Sequence, residues 1–220
     1  MPAIAVLTTD VVDSTKLSSG DFDQLMEVLQ AELSDLQEEE LVRHYELYRG
    51  DSAQLVTDYP ARALEIAFRL KTAVRQIMPQ DMVSRRGKST VFDIRTAIGL
   101  GKVESVELND ITNTPPFVRS GRCLDTITEK GLGTGIFSDQ EQLNAELSTE
   151  LYLYEWIIEQ WSLSAARIVY KKLKGLKERE IAEEFGISQS AVNQHSQATH
   201  WKGLRQMLER YENLIKWYYE

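Results

Sequence analysis

The chain has 220 residues, which is enough for one large domain or for two smaller ones that each bury a core. Its formal net charge is −9 at pH 7, with 42% hydrophobic and 27% charged residues. This composition is typical of a soluble globular protein. The sequence has no low-complexity tract and no internal repeat, which argues against a fibrous or repeat architecture.

The N-terminus and the cysteine content bear on location. The first ten residues, MPAIAVLTTD, have no basic region before their short apolar run, which ends at Asp10. We therefore expect neither a signal peptide nor a membrane span. Cys123 is the single cysteine and cannot form an intramolecular disulfide. A reducing, cytoplasmic location is the expectation.

The first part of the chain alternates between strand-like and helix-like patterns. The apolar run 3–9 predicts a buried strand, and apolar residues at helical spacing predict a helix over residues 23–40. Two short strand-like runs, 41–48 and 53–57, flank the turn signal Arg-Gly-Asp-Ser at 49–52. Pro60 is suited to the first turn of a second helix, which we expect to end near residue 77.

The elements that follow complete a recognisable order. Residues 80–89 are polar and basic and predict a surface loop, and residues 91–100 predict a strand that turns at Gly101 into a second run over 102–106. A helix is expected over 117–129, followed by a short strand in the glycine-rich segment GLGTGIF. Strand, helix, hairpin, helix, strand is the order of a βαββαβ sheet. We therefore predict an α/β (α+β) domain of ferredoxin-like or palm type over residues 1–140.

The last part of the chain is predicted to be a separate all-α domain over residues 150–220, after a polar boundary at 140–149. Ile181 and Phe185 lie four residues apart on one helix face, and Gly186 stands where that helix should stop. Ser188 is suited to cap the next helix. Two short helices joined by a glycine-containing turn are typical of a DNA-reading helix-turn-helix. A protein-binding or dimerisation module is the alternative.

The second of these helices would present polar side chains that suit double-stranded DNA. Amide side chains bond adenine in the major groove, and serine can serve several bases. Between residues 164 and 205 there are eight basic and four acidic residues in an otherwise acidic chain. A phosphate-seeking surface is therefore expected there. The predicted DNA-binding residues are Gln189, Ser190, Asn193, Gln194, Gln197, Lys177 and Lys202.

Two acids in the first domain are candidates for a metal site. Asp10 ends the first strand and Asp51 lies in the hairpin turn, and a palm-like sheet places these two elements side by side. Facing carboxylates repel each other unless a cation lies between them, and Mg²⁺ with phosphate oxygens is the usual solution. Ser14 and Thr15 could then donate to the phosphates. The alternative is that both acids are simply solvated.

Four segments resemble motifs of the class III nucleotide cyclases. DVVDST resembles their first metal motif, GDSAQL their hairpin turn, IRTAIGLGKVE their central strand pair and RSGRCL the end of their arginine-bearing helix. The resemblance implies that Asp10 and Asp51 bind Mg²⁺ or Mn²⁺ and that Arg122 stabilises the reacting phosphate. It also implies a homodimer in which the acids and the arginine come from different subunits. The asparagine of that helix is replaced by Val118, and a motif glycine is replaced by Asp13.

The chain as a whole is similar to the SatD-like bacterial family, which joins such a domain to a C-terminal helix-turn-helix. The segment ISQSAV at 187–192 carries this similarity, and the turn also resembles the LuxR and sigma-factor types. Because losing one oriented donor commonly costs ~10² to 10³ in rate, the missing asparagine favours nucleotide binding without efficient turnover.

Three functions follow from these resemblances. The first is a DNA-binding transcriptional regulator with a degenerate cyclase-like sensor or dimerisation domain. The alternative is an active nucleotide cyclase or nucleotidyl transferase that its helical tail regulates. A purely structural interaction module is the third.

Overall fold

The computed structural model describes residues 1–48, 50–79, 91–107 and 112–219. The strands are β1 (Ala3–Val11), β2 (His44–Tyr48), β3 (Ser52–Thr57), β4 (Ile94–Lys102) and β5 (Thr134–Phe137). The helices are α1 (Ser19–Glu38), α2 (Ala63–Arg75), α3 (Pro115–Glu129), α4 (Glu141–Ile158), α5 (Leu163–Leu173), α6 (Glu178–Phe185), α7 (Gln189–Ala198) and α8 (Trp201–Tyr219). Single 3₁₀ turns occur at Ser14–Lys16 and Pro60–Arg62. The loop predicted at 80–89 lies outside the described residues.

The five strands form one sheet in the order β2-β3-β1-β4-β5. All neighbours are antiparallel except β4 and β5, which α3 connects as parallel strands. The first four strands have the spatial order of a ferredoxin-like βαββαβ unit. The palm-like fold predicted for this part of the chain is therefore confirmed.

The helices cover the two faces of the sheet unequally. Side chains alternate along a strand, so Leu7 and Val11 of β1 enter the core beneath α1 and α2, while Thr8 and Asp10 point to the opposite face. On that opposite face α3 packs on β1, β4 and β5. The hairpin of β2 and β3 extends beyond α3. A cleft therefore opens between α3 and the hairpin, and it contains the candidate site.

A glycine in β4 sets how closely α3 approaches the sheet. A Cβ atom at Gly99 would overlap the backbone carbonyl of Pro116 in the first turn of α3. The turn expected at Gly101 was wrong. Gly101 and Lys102 continue β4 because both pair with the start of β1, and residues 103–107 are not in a strand.

The polar segment 140–149 is the first half of α4 rather than a linker. Leu143, Leu147 and Leu151 bury one face of this helix, so a hydrophobic stripe overrides the polar composition. Helices α4, α5 and α8 add residues to the same hydrophobic cluster as α1, α2 and β1. The division into domains 1–140 and 150–220 stays a prediction.

Helix α6 ends and helix α7 begins where the sequence indicated. Gly186 ends α6 in the left-handed conformation, with φ at 64°. The Ser188 hydroxyl accepts the backbone N–H of Ala191 and caps α7. Ile181 and Val192 are buried with residues of α5 in a small separate cluster. In the described part of the chain, no helix has the length and apolar character to cross a membrane.

Buried charges join α5 to α1 and α2. Arg69 and Glu32 are each only 2% exposed and form an ion pair of 2.8 Å. Arg69 also pairs with Glu39 at 2.5 Å, and the Tyr170 hydroxyl donates to Glu32 at 2.5 Å. Burial and the bond to Glu32 raise the pKa of Tyr170. The phenol therefore stays protonated and acts as the donor.

Candidate functional site

Asp10 and Asp51 converge on a single hydroxyl group. Asp10 in β1 pairs in register with Ser52, the first residue of β3, and Asp51 immediately precedes Ser52 in the hairpin loop. The Ser52 Oγ lies 3.0 Å from Asp10 Oδ1 and 3.4 Å from Asp51 Oδ1. The sheet therefore brings together the two acids that the sequence singled out.

The environment of Asp10 disfavours its ionised form. Burial has the largest effect and raises the pKa of Asp10, whereas the hydrogen bond from Ser52 lowers it. The negative charge of Asp51 raises this pKa further, and the positive charge of Arg95 lowers it. Arg95 is the cross-strand neighbour of Asp10 on β4. The net direction is upward. An acid pair that is costly to ionise is an environment that a cation would stabilise.

Ser14 is tied to the same pair, because its hydroxyl donates to Asp51 Oδ2 at 2.7 Å. The residue before it, Asp13, has a φ of 56°, a left-handed conformation that Asp tolerates better than most residues. Thr15 is exposed in the same 3₁₀ turn. The sequence placed both hydroxyls at the start of the following helix. That expectation was wrong, because α1 begins only at Ser19 and Ser18 caps it.

The protein supplies two carboxylates for a metal rather than a complete ligand set. Among the described residues, no group of three or more His, Cys, Asp or Glu side chains could hold a metal ion. Mg²⁺ is commonly bound by one or two carboxylates, with waters and substrate phosphates completing its octahedron. The side chains of Asp10 and Asp51 fit that mode of binding, and they do not fit a dedicated structural metal site.

The acid pair lies at one end of a cleft. A cavity of about 460 Å³ is bounded by Asp10, Ser52 and Tyr48 on the sheet and by the second half of α3. A second cavity of about 590 Å³ extends along the hairpin past Gly121. Tyr48, Leu124 and Asp125 line both cavities, so the cleft is continuous. These volumes lie within the range of small-molecule pockets.

Arg122 lines the wider cavity from α3 and is exposed. Val118, which replaces the asparagine of the cyclase motif, lies one turn earlier on the same wall. Asp10 and Arg122 thus lie along one cleft of one chain. The arrangement in which two subunits share the acids and the arginine stays a prediction.

A row of polar side chains on the floor of the wider cavity was not identified from the sequence. Gln54 Nε2 donates to Thr8 Oγ1 at 3.2 Å, Thr8 donates to Ser120 Oγ at 2.9 Å, and Ser120 donates to the Phe117 carbonyl at 2.8 Å. Because a carbonyl only accepts, the direction of every bond is fixed. The Gln54 carbonyl and its second N–H stay available to a ligand, beside the exposed Glu46 carboxylate across the strand pair.

The predicted DNA-reading residues form an exposed face. Within this face the Gln197 amide donates to Asn193 Oδ1 at 2.9 Å. The two lysines predicted to contact phosphate are also exposed. The exposed side chains of α7 are Gln189, Ser190, Asn193, Gln194 and Gln197, and the lysines are Lys177 and Lys202.

Acids outside this region neutralise part of its positive excess. Lys174 pairs with Asp35 of α1 at 2.8 Å, and Arg205 pairs with Glu209 at 3.3 Å. Five of its eight basic residues have acidic partners, but three of these acids belong to the segment itself, so the two outside acids, Asp35 and Glu209, are the ones that lower its positive excess. The remaining pairs are Lys171–Glu184, Lys172–Glu178 and Arg179–Glu183.

No protein-family model matches the chain, and no curated protein matches it. Among solved structures, it is similar to the active GGEEF domain of a diguanylate cyclase from Vibrio cholerae, with a TM-score of 0.44, 11% identity and coverage of 63% of this chain and 83% of that one. The FimX GGDEF domain from Pseudomonas aeruginosa gives a TM-score of 0.42, 14% identity and coverage of 63% and 81%. The dimeric guanylyl cyclase domain of RhoGC from Blastocladiella emersonii gives a TM-score of 0.35 and 15% identity, with coverage of 48% of this chain and 63% of that one.

Proposed function

We propose that the cleft binds a nucleoside triphosphate together with Mg²⁺ or Mn²⁺, and that the reaction it supports is nucleotide cyclisation or a related nucleotidyl transfer. The single observation that carries this proposal is the convergence of Asp10 and Asp51 on Ser52 at one end of a cleft of nucleotide size. A cation held there would neutralise phosphate oxygens during the transfer.

The residues around the acids have separate roles in this proposal. Asp10 and Asp51 hold the cation, and Ser14 keeps the Asp51 carboxylate oriented through its 2.7 Å hydrogen bond. Arg122 extends from the opposite wall and binds a phosphate oxygen, for which a guanidinium fork is well suited. Thr15, exposed in the turn beside Ser14, is a further candidate phosphate contact.

The polar floor suits a guanine base. The exposed Glu46 carboxylate can accept the adjacent N1–H and N2–H groups of guanine, and the free N–H of Gln54 can donate to O6. Adenine would place an acceptor nitrogen against the carboxylate. The carboxylate would then repel that nitrogen instead of accepting two hydrogen bonds. We therefore propose GTP as the favoured triphosphate.

We expect any turnover of the bound triphosphate to be slow. The wall position that carries an oriented amide donor in the cyclases is the half-exposed Val118 here. The absence of one such donor commonly lowers the rate by ~10² to 10³. The cleft is therefore suited to sensing a nucleotide as much as to converting it.

Calorimetric titration of the full chain tests the proposal. With Mg²⁺ or Mn²⁺ present, GTP should bind more tightly than ITP, and ITP more tightly than ATP. Glu46→Gln should remove most of the preference for GTP over ATP, whereas Glu38→Gln, an exposed carboxylate on α1, should leave it unchanged. Binding that needs no divalent cation would contradict the metal role of the acid pair. Mass analysis after incubation with Mn²⁺ then reports any cyclic or oligomeric product.

A second candidate function is sequence-selective DNA binding by residues 150–220, as in a SatD-like cytoplasmic regulator. The specific observation in its favour is the exposed amide-rich face of α7, on which Asn193 also donates to Glu178 of α6 at 3.5 Å. Two half-sites read by a homodimer would be the expected geometry.

Fluorescence polarisation with the gene's own upstream DNA tests this second function. Wild-type protein should bind selectively and lose affinity steeply with salt, and Asn193→Ala with Gln194→Ala should weaken binding at least tenfold. Arg179→Ala is the matched control, because it removes an exposed guanidinium that is already paired with Glu183. Equal affinity for unrelated DNA would exclude a regulator that reads sequence.

A further inference from the structure

The exposed face of α4 is apolar and uncharged over three turns. Tyr152, Leu153 and Trp156 are 63%, 62% and 68% exposed. At a helical period of 3.6 residues these side chains share one face with three small residues, and exposed carboxylates border this stretch at Glu141 and Glu159. The small residues of this face are Ala145, Ser148 and Thr149. Large apolar side chains grouped on an outer helix face mark an interaction surface.

A cavity of about 280 Å³ lies directly beside this face, between α3, β5 and α4. Ile127, Leu132 and Ile136 make its inner walls apolar, and Phe137 is 36% exposed at its edge. Residues 144, 145, 148, 151 and 152 form the α4 side of the cavity. The surface therefore combines a protruding indole with an apolar recess one to two turns away on the same helix.

We propose that a second copy of this chain covers the face, with the two α4 helices packed antiparallel about a two-fold axis near Tyr152. In this arrangement position 156 of one helix lies opposite position 148 of the other. Trp156 therefore meets the mouth of the partner's cavity, which Ser148 borders. Each copy supplies one indole and one recess, as an isologous interface requires.

The area available is adequate for a dimer. An aromatic side chain can bury about 150–250 Å². Because Tyr152, Leu153 and Trp156 are each about two thirds exposed, together they offer on the order of 400 Å². The helix has 18 residues and is about 27 Å long, so the small residues, Phe137 and the cavity rim add a comparable area. The total approaches the roughly 800 Å² per partner of a standard interface.

Charge at the ends of the face is complementary under the same symmetry. Position 159 of one helix lies opposite position 145 of the other, and Ala145 lines the cavity together with Lys130. Glu159 therefore approaches a lysine of the other copy. An opposite-charge pair at the rim fixes the antiparallel register more than it adds affinity.

This dimer is independent of the proposed nucleotide cleft. The cavity lies at the β5 edge of the sheet, whereas the acid pair lies on β1 and the hairpin. Helix α3 separates the two, with residues 126, 127 and 130 lining the cavity and residues 124, 125, 128 and 129 lining the cleft. Dissociating the copies should leave nucleotide affinity unchanged, so the two proposals fail separately.

Sedimentation velocity of the full chain at about 50 μM tests the dimer. Wild type should sediment as a dimer, and Trp156→Glu should sediment as a monomer with its circular dichroism unchanged. Trp217→Glu is the matched control, because Trp217 is 84% exposed on α8 and should leave the dimer intact. A monomeric wild type, or a dimer that survives Trp156→Glu, would overturn the proposal.

A cysteine at the axis gives an independent readout. Tyr152→Cys should form a disulfide-linked dimer under mild oxidation, because the two copies of residue 152 meet at the two-fold axis. The native Cys123 is buried and should not react, since burial raises its pKa to about 12. Trp217→Cys is the control for random collision. Equal cross-linking of the two variants would contradict the antiparallel register.

Discussion

The Ser14 hydroxyl donates to the Asp51 carboxylate over 2.7 Å, which ties the turn after β1 to the loop between β2 and β3. Two segments 37 residues apart in sequence are thereby locked together at the acid pair. Ser52 bridges the same segments through its bond to Asp10. The site is therefore organised by protein hydroxyls before any cation binds.

Asp10→Asn should stabilise the metal-free protein at neutral pH. Because the folded pKa of Asp10 is raised, the folded state holds its proton to higher pH than the unfolded chain. The wild type therefore loses stability as the pH rises through that window, and the Asn variant does not. We expect a Tm increase on the order of 1–3 °C at pH 7.

The same comparison at low pH is the control for Asp10→Asn. The Tm difference should disappear below the ordinary pKa of an aspartate, where both states are protonated. Mg²⁺ should raise the Tm of the wild type and leave the variant unaffected. A variant less stable than wild type at pH 7 would show that ionised Asp10 is stabilising.

Gly99→Ala should lower the free energy of unfolding by roughly 1–3 kcal/mol, the usual range for overpacking. A Cβ there would collide with the rigid backbone of Pro116, so α3 must move away from the sheet. Gly121→Ala is the matched control, since its Cβ would meet nothing within 4 Å and helix propensity improves. Chemical denaturation should give a free energy of unfolding below that of wild type for Gly99→Ala and above it for Gly121→Ala.

Glu32→Gln should cost about 2–3 kcal/mol of folding free energy, because the buried Arg69 loses its charged hydrogen bond to Glu32 but keeps its ion pair with Glu39. Tyr170→Phe removes only the phenol donor and should cost less, roughly 1–2 kcal/mol. Glu38→Gln, on the exposed side of α1, should be close to neutral. Urea titrations give the three values. Equal losses of folding free energy in Glu32→Gln and Glu38→Gln would contradict a structural role for the buried pair.

Arg122→Ala should weaken GTP binding at least tenfold while leaving guanosine binding unchanged, since the guanidinium contacts phosphate in the proposed complex. Arg119→Ala is an instructive comparison on the same helix, because its guanidinium donates instead to the Leu100 carbonyl at 2.7 Å. Calorimetry with both ligands separates the phosphate contact from loss of the fold. Equal effects on GTP and guanosine would place Arg122 outside the phosphate site.

The order of strands and helices in the sheet was readable from local patterns, because β1, α1 and the hairpin have clear periodicity and turn residues. The continuation of β4 through Gly101 was not, since pairing with β1 overrides a local turn signal. The helix at 141–158 was missed over its first half for a similar reason. Three leucines spaced four residues apart bury it against the core despite its polar composition.

The acids of the candidate site were identifiable because Asp10 interrupts an apolar run and Asp51 lies in a turn signal, although β1 continues through Asp10 to Val11. Ser52 escaped attention, although its position next to Asp51 and in register with Asp10 gives it the central role. The Glu46–Gln54–Thr8 row depends on cross-strand register, which one-dimensional patterns do not give. Positive charge near α7 was counted correctly, but the pairing of Lys174 with Asp35 on α1 joins residues that are distant in sequence.

The most direct measurement is calorimetric titration of GTP into the wild type and into Asp51→Asn, each with and without Mn²⁺. Tight binding is expected only for wild type with Mn²⁺, and Asp51→Asn should weaken it at least tenfold. Asp23→Asn, an exposed acid on α1, should bind as the wild type does. Binding that is equal in wild type and Asp51→Asn, or that is absent from both, would contradict the proposed metal and nucleotide site.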